Sequence, residues 1–132
     1  MNIVVDTSVI IAVVTNEQHK AQLVGVSKGA DLIAPSSLHW EIGNAFSAMI
    51  KRKRIDLRQA RQALRAYGRI PIQFSDIDLE RSLELAANLN LYAYDAYIIQ
   101  CALNHRSPVL TLDRRLVRSA KRAGAAAIEV TS

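Results

Sequence analysis

Aromatic residues are scarce in this chain. Phe, Trp and Tyr together make up 5% of its 132 residues. Aliphatic side chains must therefore build the core, and a surface that grips single strands by stacking bases on aromatic rings is disfavoured. Cysteine is limited to Cys101, which excludes an intramolecular disulfide and a cysteine-based zinc cluster. Its setting in an apolar helical segment makes Cys101 a small core residue. No apolar run approaches the ~18 residues of a membrane span. The opening Met-Asn-Ile-Val-Val-Asp has neither a basic stretch nor a small-residue cleavage site, so the expectation is a cytoplasmic protein. There is no phosphate-cradling glycine-rich loop and no Ser/His/Asp arrangement for nucleophilic catalysis. His19, His39 and His105 are scattered, and each reads as structural or exposed. Repeats, linkers and low-complexity tracts are also missing.

What is present is a well-supplied core and an excess of positive charge. Half of the residues are hydrophobic, enough for a core without staples, and the length suits one domain spanning residues 1–132. The net charge of +5 favours a polyanionic partner. The charge is also localised. Residues 51–69 hold Lys51, Arg52, Lys53, Arg54, Arg58, Arg61, Arg65 and Arg69 against the single acid Asp56. A second run, Arg114, Arg115, Arg118, Lys121 and Arg122, follows Asp113. A solvated helix face is the ordinary use of such runs; so few interleaved acids make a phosphate-binding role its equal.

Along the chain, short apolar runs alternate with helical patterns. Asn2–Val5 reads as a buried strand ending at Asp6, and Thr7–Val14 as a helix whose capping chemistry lies in Asp6-Thr7-Ser8. His19–Lys28 reads as a helix stopped by Gly29, and Asp31–Ala34 as a strand ended by Pro35. Ser36 or Ser37 opens a long helix to about Arg54, with Leu38, Ile42, Ala45, Phe46, Met49 and Ile50 at helical spacing. Asp56 and Gln59 form a capping box for a helix to Tyr67. Ile70–Phe74 is a third strand. Asp76 caps a helix to about Asn90 with Leu79, Leu83, Leu85, Ala86 and Leu89 as its apolar positions. Tyr94–His105 is helical, Val109–Leu112 a strand ending at Asp113, Asp113–Ala123 a basic helix and Ala126–Val130 a last strand. Strands and helices in this alternation predict an α/β fold, a parallel sheet of four to five short strands with helices on both faces. Sites in such sheets lie beyond the carboxyl ends of the strands.

Four acids map to that edge: Asp6, Glu41, Asp95 and Asp113. Ionised carboxylates gathered there repel one another, and a bound cation resolves the conflict. Oxygen ligands without clustered Cys or His favour Mg²⁺ or Mn²⁺ over Zn²⁺. Each Asp has a plainer use as a helix cap, the commonest structural role of Asp at such positions. Glu41 stands apart, because it sits between Trp40 and Ile42 in an apolar helical stretch where acids are rare unless paired. Ser8, two residues after Asp6, and Thr111, two before Asp113, are supporting hydroxyls for a carboxylate, a water or a phosphate. Arg54, Arg58, Arg114 and Arg115 are the candidate phosphate-binding residues.

These segments together resemble the PIN-domain nucleases, and among them the VapC-type toxins of toxin–antitoxin pairs. The resemblance runs through Val5-Asp6-Thr7-Ser8-Val9-Ile10, Pro35-Ser36-Ser37-Leu38-His39-Trp40-Glu41-Ile42-Gly43-Asn44-Ala45, Tyr94-Asp95-Ala96-Tyr97 and Leu110-Thr111-Leu112-Asp113-Arg114-Arg115-Leu116. It implies a PIN-like single domain and a metal-dependent endoribonuclease. Asp6, Glu41, Asp95 and Asp113 would be the catalytic and metal-binding acids, with Mg²⁺ or Mn²⁺ as the cofactor. Arg54, Arg58, Arg114 and Arg115 would contact the RNA, and its cleavage would leave 5′-phosphate and 3′-hydroxyl ends. The resemblance further implies a homodimer and a cognate antitoxin whose C-terminal segment pushes a basic side chain into the acidic pocket. One position departs from many relatives: Arg115 stands where they carry another acid, which thins the ligand set for a second ion and leaves Arg115 to bind phosphate or Asp113.

Two other readings compete. One is a binding or regulatory module on the same fold that holds RNA or a partner without cutting. Four costly clustered charges argue against it. The other is a phosphoacceptor receiver domain, which resembles this chain in size but carries paired acids after its first strand and a Lys after its last. Here Thr7 and Ser8 follow Asp6, and Thr131 and Ser132 follow the last strand.

Overall fold

The computed structural model describes residues 1–130; Thr131 and Ser132, the end of the expected domain, lie outside the described residues. Five parallel strands form one sheet in the order β3-β2-β1-β4-β5. They are β1 (Asn2–Val5), β2 (Asp31–Pro35), β3 (Ile72–Ser75), β4 (Val109–Leu110) and β5 (Ala127–Ile128). Between them run α1 (Thr7–Val14), α2 (Lys20–Ser27), α3 (Leu38–Lys51), α4 (Leu57–Gly68), α5 (Leu79–Leu89), α6 (Ala93–His105) and α7 (Arg114–Arg122). The α/β expectation, with helices on both faces, holds.

The two-residue period of a strand explains how both faces are buried. In β1, Ile3 and Val5 point into one core with α1, α2, α3 and α4, while Val4 points into the other. Ala34 and Leu110 join the first core, and Ile33 and Val109 the second. The second core is closed by Ile98, Ile99, Cys101 and Ala102 of α6 and by Leu116 and Ala120 of α7. Cys101 is fully buried there, and burial pushes its thiol up to about 12, so it behaves as an inert hydrophobe.

The direction in which strands are added to the sheet reverses about β1, which pairs in parallel with β2 on one side and β4 on the other. Such a switch point opens a crevice beyond the carboxyl ends of the strands. Asp6 stands at that end of β1, held in register by its N–H donating to the Leu110 carbonyl at 3.2 Å.

Several boundaries differ from the sequence expectation. Helix α3 stops at Lys51 rather than near Arg54, because Lys53 adopts a left-handed conformation (φ 57°) that turns the chain into α4. The predicted capping box is present: Gln59 N–H donates to Asp56 Oδ1 at 2.8 Å, and Asp56 N–H donates to Gln59 Oε1 at 2.9 Å. Asp78, not Asp76, caps α5, accepting from the Arg81 N–H at 3.2 Å. Asp76 instead accepts from the Ser36 hydroxyl at 3.3 Å. Leu79 and Leu83 of α5 are 58% and 54% exposed, so only part of its expected apolar face is buried. Strand β3 begins at Ile72 rather than Ile70. Strands β4 and β5 shrink to the two residues that pair with each other, so β4 ends at Leu110 and Asp113 lies in the following loop. Among the described residues no helix is long and apolar enough to cross a membrane.

Candidate active site

Asp6 occupies the N-cap position of α1 but makes no side-chain cap. Its Oδ2 instead accepts from the Ser8 hydroxyl at 2.8 Å and from the Thr111 hydroxyl at 2.7 Å. Each hydroxyl is itself fixed by an amide of the loop after β4. Leu112 N–H donates to Ser8 Oγ, and Asp113 N–H donates to Thr111 Oγ1, both at 3.0 Å. The carboxylate is thereby tied to two segments about a hundred residues apart in sequence. This arrangement absorbs both supporting hydroxyls named from the sequence.

Glu41 lies in the first turn of α3, half-buried, with Ser37 Oγ donating to its Oε2 at 3.4 Å. Burial first, and then the charge of Asp6, push its carboxyl up to about 7, against the lowering effect of the Ser37 and Thr7 hydroxyls. Asp95 adds to the rise. The Thr7 hydroxyl is buried beside Glu41 and favours its charged form, although the contact falls short of full hydrogen-bond geometry.

Asp95 is the third residue of α6, whose N-cap is Tyr92, so the cap reading of Asp95 fails. Burial raises its carboxyl, and the Arg115 guanidinium opposes that rise. Asp113 and Asp6 push it further up. Arg115 Nη2 lies 3.2 Å from Asp95 Oδ2 and 3.7 Å from Asp113 Oδ2. Asp113 does cap its helix, accepting at Oδ1 from Arg115 N–H at 2.9 Å and Leu116 N–H at 3.4 Å. The Arg115 guanidinium also sits over the Tyr92 ring, 5.6 Å from its centroid.

The four acids therefore feel one another's charge at one edge of the sheet. Among the described residues, no three Asp, Glu, His or Cys side chains stand close enough to enclose an ion by themselves. The site nonetheless fits a hard divalent cation. Its donors are carboxylate and hydroxyl oxygens, and two carboxyls are raised, first by burial and further by neighbouring negative charge that is only partly balanced. Mg²⁺ is ordinarily held by one or two carboxylates with water filling the rest, so three convergent ligands are not required.

The basic candidates fall in different places. Arg115 is engaged with the acids. Arg114 lines a cavity of about 460 Å³ with Arg118, Lys121, Glu129 and Thr111, and Thr111 is also the residue that hydrogen-bonds Asp6. Arg54 and Arg58 are exposed beyond the far end of α3, which lies about 15 Å along the helix from Glu41. The sequence reading missed Tyr92 and Thr7. Tyr92 carries a legible signal, an aromatic ring just ahead of an acid-bearing helix; Thr7 looks like any first helical residue.

Acids at the switch point of a doubly wound parallel sheet define a candidate ion-assisted site in an α/β protein. The chain belongs to the PIN domain family, whose model matches residues 3–122. PIN domains are generally nucleases. Comparison with curated proteins by sequence gives no match. Among solved structures, PAE2754 from Pyrobaculum aerophilum is similar over 96% of this chain and 83% of its own, at TM-score 0.68 and 21% identity. VapBC2 from Rickettsia felis, bound to a DNA fragment from their promoter, is similar over 97% of this chain and 98% of that one, at TM-score 0.70 and 13% identity. A toxin–antitoxin complex from Klebsiella pneumoniae covers 86% of this chain and 88% of its own, at TM-score 0.57 and 18% identity. At these identities the likeness concerns the fold.

Proposed function

We propose that this chain is a Mg²⁺- or Mn²⁺-dependent endoribonuclease and the toxin of a toxin–antitoxin pair. The observation that carries the reading is Asp6, which stands at a helix N-cap, leaves the cap unmade and is held by Ser8 and Thr111 toward Glu41 and Asp95. A divalent cation bound there would neutralise phosphate oxygens and acidify a water.

The protein's own groups have distinct tasks. Asp6 offers a fixed ligand oxygen, because both of its hydroxyl partners are anchored to backbone. Glu41, whose carboxyl is near 7 before an ion binds, would help Asp6 hold the ion, and the cation's charge would then favour its ionised form. Asp95 faces the same space, and Asp113 holds the rim. The exposed cations Arg114, Arg118 and Lys121 suit the phosphate backbone of RNA. Arg54 and Arg58, so far from the acids, serve only an extended RNA. The protein would act in the cytoplasm, as a homodimer, until an antitoxin's C-terminal segment covers the acids with a basic side chain.

Arg115 favours a second reading, a module that holds RNA without cutting, because the guanidinium already neutralises part of the acid site. Induced expression separates the two. Growth arrest and RNA fragments with 5′-phosphate and 3′-hydroxyl ends are expected, relieved by co-expression of the partner encoded beside it. Arrest that persists undiminished in both Asp6→Asn and Asp95→Asn contradicts the enzymatic reading.

A further inference from the structure

Arg115 is placed in a way that its exposed, basic helix does not require. One guanidinium nitrogen, Nη2, lies within ion-pair distance of Oδ2 on both Asp95 and Asp113. The Tyr92 ring backs the guanidinium. Its own backbone N–H donates to Asp113 Oδ1. Both oxygens of Asp113 are thus engaged by the same residue, one through its backbone and one through its side chain.

We propose that Arg115 occupies the place of a second divalent cation, so that the site loads a single ion on the Asp6, Glu41 and Asp95 side. Asp113 then acts as the anchor of Arg115 rather than as a ligand. The inference rests on the metal-dependent reading above.

In two-ion sites the ions sit ~3.5–4 Å apart and share carboxylates between them. A cation bridging Asp95 and Asp113 would need the position that Nη2 already holds. Guanidinium stays protonated at any working pH, so it does not yield that position by losing its charge. Nor does Asp113 offer an idle oxygen: Oδ1 also caps α7 through the Leu116 N–H. The inner acids differ. Asp6 receives only neutral hydroxyls, and Glu41 only the weak Ser37 contact among completed hydrogen bonds, so both keep lone pairs for an ion. A guanidinium beside a single ion also has a use in the reaction. It presents positive charge to a phosphate oxygen without needing a second ion to arrive.

The test is the stoichiometry of Mn²⁺ binding, read from the loss of the free-ion electron paramagnetic resonance signal. Wild-type protein, Arg115→Asp, Arg115→Ala, Arg114→Ala and Asp113→Asn are titrated, each checked for folding by circular dichroism. Wild type should take one ion per chain. Arg115→Asp, which exchanges the guanidinium for a ligand, should take two. Asp113→Asn should keep the single ion with affinity changed by less than about tenfold, a loss below that of a direct ligand's support. Arg115→Ala should bind Mn²⁺ more tightly than Arg114→Ala, although both remove one positive charge. Equal tightening in those two would reduce the effect to long-range charge and overturn the proposal. Two ions in wild type, or one in a folded Arg115→Asp, overturn it while leaving the nuclease reading intact. No ion at all in wild type overturns both.

Discussion

The Thr111 hydroxyl donates to Asp6 Oδ2 across 2.7 Å, joining the loop after β4 to the end of β1. The bond fixes the carboxylate where a helix cap would otherwise claim it. Thr111→Val keeps the shape and removes the donor. We expect a stability loss of about 1–2 kcal/mol by thermal melting. We expect RNA cleavage and Mn²⁺ affinity to fall about 10- to 100-fold, the usual effect of removing a group that orients a ligand. Unchanged cleavage with the same stability loss would make Thr111 purely structural.

Glu41 makes the ion-free protein sensitive to pH. Its carboxyl is raised from 4.5 to about 7 in the folded state, so between those values the folded protein holds a proton that the unfolded chain has released. Stability therefore falls as pH rises through that window and levels above it. The drop should be on the order of 2 kcal/mol after solvent screening. Asp95, also raised, acts in the same direction. Denaturant titrations from pH 4.5 to 8 in a chelator should show the slope, and Glu41→Gln should flatten most of it.

Added Mn²⁺ should reverse that slope. Protons and the ion compete for Glu41 and Asp95, so the ion stabilises the fold more at pH 8 than at pH 5. Melting temperatures with and without Mn²⁺ at the two pH values check this. An equal increment at both would place the ion elsewhere.

A control lies at the other end of α3. Asp56→Ala breaks the capping box of α4. It should lower stability by about 1 kcal/mol and leave the cleavage rate per folded molecule unchanged.

The alternation of strands and helices and the two-faced core were legible in the sequence, because Ile3-Val4-Val5 and the helical spacing of Leu38, Ile42 and Phe46 are local patterns; the strand order β3-β2-β1-β4-β5 was not, because it depends on long-range pairing. The acids were legible as a set but ambiguous one by one. Capping chemistry is identical in sequence for Asp6 and Asp113, yet only Asp113 caps. What diverts Asp6 is Thr111, more than a hundred residues away, and no local pattern carries that contact. Arg115 is similar: its pairing with Asp113 follows from helix geometry, whereas its pairing with Asp95 depends on how α6 and α7 pack. Strand ends went astray for a related reason. Val109–Leu112 is apolar throughout, and only pairing with the short β5 decides that β4 stops at Leu110.

The most direct test of the account is single-turnover cleavage of end-labelled RNA at saturating Mn²⁺ by purified wild type, Asp6→Asn and Asp95→Asn. The account predicts that wild type cuts and is silenced by a chelator, and that both variants remain folded and fall to the background rate. Either variant cutting at the wild-type rate, or wild type cutting undiminished in the chelator, would contradict it.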